Sequence, residues 1–270
     1  MTIIKGSTAL VTGGANGLGK AMARLFLKEG VARLIIWDIN GDGLQAACRD
    51  FHEYSSRIRH FAIDVGDHEQ VRAGAEKICR ICGGVDILVN NAGVATGHNF
   101  AGQKHASISR TVSTNISGPM HCTLELLPAM LNKGSGHIVN ISSAAALVPL
   151  PGLSVYSASK SALAVWGDAL RMEFRTGNQN IKVTSVFSGH LDTDMFRGVK
   201  GSLCMPVIEH DRAAEKIIAG IRSNRQNIYM PFSVWVASAA RAVLPGRFFD
   251  LCSRLAGLDR YMLGFRENNE

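Results

Sequence analysis

No stretch of this 270-residue chain stays apolar for the roughly 18 residues a membrane-spanning helix needs, so no segment is expected to cross a bilayer. Cysteine is sparse and irregular. Six residues, at 48, 79, 82, 122, 204 and 252, mark out no disulfide framework and are expected as free thiols in a reducing compartment. Cys79 and Cys82 form a C-x-x-C, but no second pair or nearby histidine completes a zinc set. Their segment is patterned as a helix, so packing is the expected role and no metal is assigned. The N-terminus lacks a basic region followed by an apolar stretch, which leads to the expectation of a cytoplasmic protein. Repeats, low-complexity tracts and linkers are also missing, so a single domain is expected.

What is present describes a globular chain with a large core: 46% hydrophobic residues and 19% charged. Short β-branched runs alternate with helical patterns. The runs are Thr8–Val11, Leu34–Trp37, Ile58–Ile63, Ile87–Val89, His137–Ile141, Lys182–Phe187 and Ile228–Met230. Helical spacing marks Leu18–Lys28, 68–81, Val155–Phe174 and Arg212–Ile221, with Asp67 and Asp211 as expected N-caps. Alternation of this kind indicates parallel βαβ units, and strands apolar at nearly every position fit a sheet covered on both faces. The fold class is therefore α/β.

The first strand runs into Thr12-Gly-Gly-Ala-Asn-Gly-Leu-Gly19 and at once into a helix. Glycines at 13, 17 and 19 let the backbone come close to a ligand, and the helix start offers unpaired N–H groups to a pyrophosphate. The second strand ends in Asp38, 19 residues after Gly19. A carboxylate there accepts hydrogen bonds from ribose hydroxyls and repels a 2′-phosphate, and neither Asn16 nor Ile39 is basic, so NAD is favoured over NADP.

Tyr156 and Lys160 open a helical pattern four residues apart, which puts phenol and ammonium on one face, where the cation favours phenolate and suits Tyr156 to general base work. Upstream, a strand ends in Ser142 and Ser143, which strand logic alone does not separate. Thr12–Gly19, Asp64-Val65, Asn90-Asn91-Ala92-Gly93, Asn115, Ser143 and Tyr156-x-x-x-Lys160 together resemble, in order and spacing, the classical short-chain dehydrogenase/reductases over about residues 5 to 230. The resemblance is closest in feel to their retinol and hydroxysteroid dehydrogenase branch.

That resemblance implies a Rossmann-type doubly wound sheet of seven parallel strands in the order 3-2-1-4-5-6-7. It implies that Ser143, thirteen residues before the tyrosine, bonds the substrate oxygen, that Tyr156 exchanges the proton, and that Lys160 binds the nicotinamide ribose and lowers the Tyr156 pKa. Asn115 would hold a relay water. Asp64 would meet the adenine beside Val65, and Asn90 and Gly93 would line its pocket, with Asn91 and Ala92 in the cofactor set. Gly13, Asn16, Gly17, Leu18, Gly19 and Asp38 complete that set with Gly189 and Thr193. The chain departs from the family at Ser188-Gly189, where Pro-Gly is usual. His190 beside it is expected either on the surface or against substrate.

Substrate choice is expected to lie in the 190–226 loop, where Phe196 and neighbouring apolar residues suggest an apolar ligand. The block 1–231 is expected to bind cofactor and carry catalysis, and 232–270 to form a helical extension. Residues 218–266 hold seven arginines against Asp250 and Asp259, so +5 of the net +7 charge lies there. Phe248, Leu251, Leu255 and Leu258 fall at helical spacing, so the extension is expected to cap the pocket, pack on another subunit or touch a membrane through 232–265. Nothing suggests nucleic acid. The expected activity is NAD-dependent interconversion of an apolar alcohol and its carbonyl by a homodimer or homotetramer. The rivals are a reductase of acyl-chain or small ketones and a membrane-associated cofactor-binding scaffold with vestigial catalysis.

Overall fold

The computed structural model describes residues 1–97, 99–192 and 206–257. Seven strands form one parallel sheet: β1 (Thr8–Thr12), β2 (Arg33–Asp38), β3 (Ile58–Ala62), β4 (Ile87–Asn90), β5 (Gly136–Ile141), β6 (Ile181–Ser188) and β7 (Asn227–Met230). Their spatial order is β3-β2-β1-β4-β5-β6-β7, as the family resemblance implies. Because the order reverses between β1 and β4, the connections leave these two strands in opposite directions and open a crevice at their C-terminal ends.

Alternation along each strand sends side chains to two separate cores. Ala9, Val11, Leu34 and Ile36 pack under α1 (Gly17–Lys28), α2 (Gly41–Asp50) and α7 (His210–Arg222). Leu10, Ile35, Trp37 and Leu88 pack under α3 (His68–Cys82) and α5 (Gly118–Lys133), with Phe174 of α6 (Ser154–Thr176) closing that layer. The edge strand β3 is the exception to burial on both faces: Arg59, His60 and Ala62 are exposed. Cys79 lies on α3 exposed, and Cys82 donates to the Ile78 carbonyl at 3.1 Å.

Asp67 caps α3, accepting from the Glu69 and Gln70 amides at 3.0 and 3.3 Å. Asp211 does not cap α7. That helix begins at His210, so Asp211 lies in its first turn, where the positive helix end suits a carboxylate and Arg24 of α1 sits 3.5 Å away. After β7 the chain enters α8 (Phe232–Val243) and α9 (Gly246–Leu255). No helix among the described residues is long and apolar enough to cross a membrane.

One buried histidine makes the fold acid-sensitive. His137 on β5 is 1% exposed and holds Thr184 through Nε2 at 2.8 Å and Thr2 through Nδ1 at 2.9 Å. Burial, aided by the Lys182 charge, pushes its pKa down from 6.5 to about 4. The unfolded chain binds a proton between those values that the folded chain refuses, so stability present above pH 6.5 is lost as pH falls through 4. The contribution is about 3 kcal/mol. Urea unfolding at stepped pH is expected to show this decline, and His137→Gln to flatten it.

Candidate active site

The turn between β1 and α1 is shaped for close approach. Gly13 and Gly17 take φ of +62° and +49°, the left-handed region that side chains avoid. A Cβ on Gly19 would stand 2.0 Å from the Gly13 carbonyl oxygen, and one on Gly13 2.8 Å from Ala92 Cα. Asn16, the residue before α1, makes no side-chain cap bond, which leaves the first amides of the helix open toward the crevice.

Two residues lock this turn to the neighbouring strand. The Thr12 hydroxyl oxygen accepts from the Asn91 and Ala92 amides, each at 3.0 Å, while Asn91 Nδ2 donates to the Thr12 and Gly13 carbonyls, each at 2.9 Å. Above the turn, Asp38 accepts from the Ala15 amide at 3.0 Å with one oxygen and from the Asn40 amide at 3.0 Å with the other. Two backbone donors thus aim one carboxylate at the mouth of the crevice. Asp64 is held by the Gly66 amide at 2.8 Å.

A cavity of about 930 Å³ runs over these loops. Gly13, Asn16, Gly17, Leu18 and Gly19 form its floor, Asp38, Asp64 and Val65 one end, and Asn91, Ala92 and Gly93 its side. Ser143, Tyr156, Lys160, Gly189 and His190 surround the other end. The volume, the cradle that only glycine leaves open and the positioned carboxylate fit a dinucleotide.

Ser143 lies two residues past β5 and caps the turn Ala144–Ala146, its oxygen accepting from the Ala145 amide at 3.1 Å. Tyr156 and Lys160 share one face of the first turns of α6, and the Tyr156 hydroxyl bonds the Ser143 side chain. Both α6 residues are buried. Lys160 donates to the Ile141 carbonyl at 2.9 Å, which places its Nζ 5.8 Å from the Tyr156 ring centre and beside Gly93. Burial pushes the phenol up to about 12, with the Ser143 bond pulling the other way, and pushes the ammonium down to about 8. The net shift of the phenol is therefore upward, opposite to the lowering expected from Lys160.

Ser142 turns away from this cluster and donates to the Lys160 carbonyl at 2.9 Å, so its hydroxyl is engaged in joining β5 to α6. Asn115 sits fully buried in a π-helical turn, Ser113–Ser117, that joins α4 (His105–Val112) to α5. Its side chain bonds both the amide and the carbonyl of Val94 at 2.8 Å and the Ser159 hydroxyl at 3.0 Å. Both amide hydrogens are thus in use, and a water here would have to donate to an oxygen of Asn115.

Several expectations change. Asn90 does not line the cavity: it points along the sheet to Asn140 Oδ1 at 2.9 Å and is 2% exposed. His190 is not on the surface. It is 7% exposed, it borders the cavity, and burial lowers its pKa. Thr193 and Phe196 lie outside the described residues. The sequence reading also missed His210, which meets the cavity and bonds the Asp192 carbonyl through Nδ1 at 2.9 Å. No motif marks it, because an isolated bridge between Leu191 and Ile208 brings it there.

Comparison with known proteins bears on the whole arrangement. Residues 7–202 match the family model of the short chain dehydrogenases. Epidermal retinol dehydrogenase 2 from Homo sapiens is 30% identical over 97% of this chain and 86% of its own. Estradiol 17-beta-dehydrogenase 11 from Rattus norvegicus is 28% identical over 93% and 84%. Among solved structures, a short chain dehydrogenase/reductase from Burkholderia phymatum in complex with NAD superimposes with a TM-score of 0.81 at 20% identity, over 90% of this chain and 95% of its own. A short chain dehydrogenase from Burkholderia cenocepacia in complex with NADP gives 0.80 at 25%, over 94% and 99%. The chain belongs to the short-chain dehydrogenase family and is an oxidoreductase acting on CH–OH groups.

Proposed function

We propose that the protein oxidises an apolar alcohol, of retinoid, steroid or fatty-alcohol type, to its carbonyl with NAD. The observation that carries this reading is the cluster of Ser143, Tyr156 and Lys160 at one end of a cavity whose other end presents Asp38. Ser143 and Tyr156 hold the substrate oxygen between two hydroxyls. As the C–H bond breaks, the hydroxyl proton passes to the oxygen of Tyr156 in its ionised, phenolate form, and Ser143 steadies the charge moving on the substrate oxygen. Lys160 anchors one N–H on Ile141 and has two more for a ribose hydroxyl and for stabilising the phenol oxygen. Asn115 holds Val94 and Ser159 in place and presents an oxygen to a relay water. The dinucleotide supplies the acceptor for the hydride.

The apolar substrate is supported by Val94, Leu191 and Val207 on the cavity wall and by the retinol and estradiol in the names of two relatives. NAD is supported by the Asp38 carboxylate. Association as a dimer or tetramer through α5 and α6 would cover the exposed Leu124, Val165 and Met172. A membrane contact through the C-terminal helices is also part of this reading, since such alcohols partition into lipid.

The test is formation of reduced nicotinamide by purified protein across alcohols from short alkanols to retinol and hydroxysteroids. Long apolar alcohols are expected to turn over with kcat/KM about a hundredfold higher for NAD than for NADP, and Asp38→Ser to narrow that ratio about tenfold or more. Turnover confined to small polar substrates, or a preference for NADP, would refute the corresponding half of the proposal.

A further inference from the structure

The two C-terminal helices carry their apolar residues on the wrong side for a soluble protein. On α8, Phe232, Trp235, Val236, Ala239 and Val243 fall within about 100° of one another at 3.6 residues per turn, and every one of them is exposed. Phe232 is 69% exposed and Val243 80%, and no charged residue interrupts this stripe. The inward face of α8 carries Val234, which is 3% exposed, and Arg241, the only charge on the helix. On α9, Phe248, Leu251 and Leu255 form a second exposed stripe flanked by Arg247 and Arg254, and none of the ten residues of that helix is buried.

We propose that the outward face of α8 and α9 is a docking surface for an anionic lipid bilayer. An exposed apolar face of this extent needs a partner. Charge selects which one. Arg241 is engaged with the Leu147 carbonyl on the inward side, and on α9 Arg247 and Arg254 stand beside a single acid, Asp250. Two copies of a surface with this excess positive charge repel, whereas anionic headgroups complement it. Short amphipathic helices with aromatic residues on the apolar face and arginines at its border are suited to the headgroup boundary, and the stacked Phe232–Trp235 pair, 5.3 Å between ring centres, is the kind of side chain that settles there.

The same helix reaches the reaction end of the cavity from behind. Val234 packs with Ala144, the residue after Ser143, and with Phe187. Arg241 donates to the Leu147 carbonyl at 2.5 Å, so α8 clamps the loop that follows Ser143. At the start of α8, Pro231 closes on Gly189, where an added Cβ would meet the proline ring at 3.1 Å. A bilayer on the outer face of α8 therefore lies one helix thickness from the loops around the reacting atoms. The docking surface specifies the membrane contact of the proposed function, and its link to substrate supply rests on the apolar-alcohol reading.

The test is co-sedimentation of the full-length protein with vesicles of phosphatidylcholine alone or mixed with phosphatidylglycerol. Binding to the mixed vesicles is expected to be at least about tenfold stronger and to weaken with salt. Phe248→Ser with Leu255→Ser is expected to lower it at least tenfold, and Arg247→Glu with Arg254→Glu to remove the preference for anionic lipid, with dinucleotide affinity unchanged in both. Absence of vesicle binding overturns the proposal. So does binding that survives both double substitutions, and so does a shift of Phe248→Ser/Leu255→Ser to a smaller assembly in size-exclusion chromatography without any vesicle binding by the parent, which would assign the surface to contact between copies. Vesicle binding with no alcohol turnover would leave the surface standing and remove the catalytic reading.

Discussion

Tyr156→Phe is expected to bind dinucleotide as the parent does and to lose about 10²- to 10⁴-fold in kcat, the range that positioned proton transfer supplies. The substitution removes one oxygen from a side chain that is 4% exposed, so the ring goes on filling its place against Leu150 and Leu153. What disappears is the proton acceptor and one of the two hydroxyls meeting at the substrate oxygen. Because burial pushes the phenol up to about 12, the parent reaction needs the positive charge of Lys160 close by as the phenolate forms, and oxidation is expected to quicken as pH rises from neutrality toward 8, above which Lys160 loses that charge. Stopped-flow turnover beside titration of dinucleotide binding separates the two effects. A variant that keeps within a few-fold of parental kcat would take Tyr156 out of the chemistry.

Lys160→Met is expected to abolish most turnover and yet to raise the melting temperature near neutral pH. The ammonium is 4% exposed, and its recorded hydrogen bond is to the Ile141 carbonyl. Burial lowers its pKa from 10.5 to about 8, so between those values the unfolded chain holds a proton that the folded chain does not. The folded state is therefore penalised in full below pH 8, by about 3 kcal/mol, and the penalty fades as pH rises toward 10.5. Methionine fills the same volume without charge but leaves the Ile141 carbonyl unpaired, which takes back about 1–3 kcal/mol. The net expectation is a gain of about 1 kcal/mol near pH 7, or about 2–4 °C for a chain of this size, turning to a loss by pH 10.5. Calorimetry at both pH values reads it directly. A lower melting temperature at pH 7 would mean that the lysine stabilises the fold it serves. The expected exchange of stability for activity is common where a charge is kept in a dry site.

The seven strands were legible to within a residue or two because each holds a short apolar or β-branched run, set off by helical patterns between them. The glycine turn, Asp38 and the α6 pair were legible for a different reason: their chemistry depends on local spacing, which a sequence displays. What escaped depends on contacts between distant segments. Ser142 and Ser143 are indistinguishable by strand pattern; the family spacing picks out Ser143, but that Ser142 is tied to the Lys160 carbonyl only the fold displays. Asn90 and Asn91 are adjacent amides, yet the pleat turns one into the sheet and the other onto the glycine turn. Asp211 looked like a cap because it precedes the periodic residues, but α7 starts earlier, where Glu209 leads in. His190 reads as a loop residue and is buried because the chain from Leu191 returns at Ile208 to cover it.

The four hydrogen bonds that join Thr12 and Gly13 to Asn91 and Ala92 have a consequence for binding. A glycine-rich turn left to itself samples many conformations, and a ligand that selects one of them must overcome that freedom. Here the selection is made when β1 and β4 come together in the folded chain, before any ligand arrives. The entropy of ordering the cradle is lost once per molecule rather than once per turnover, so the dinucleotide's contacts remain available for affinity and orientation.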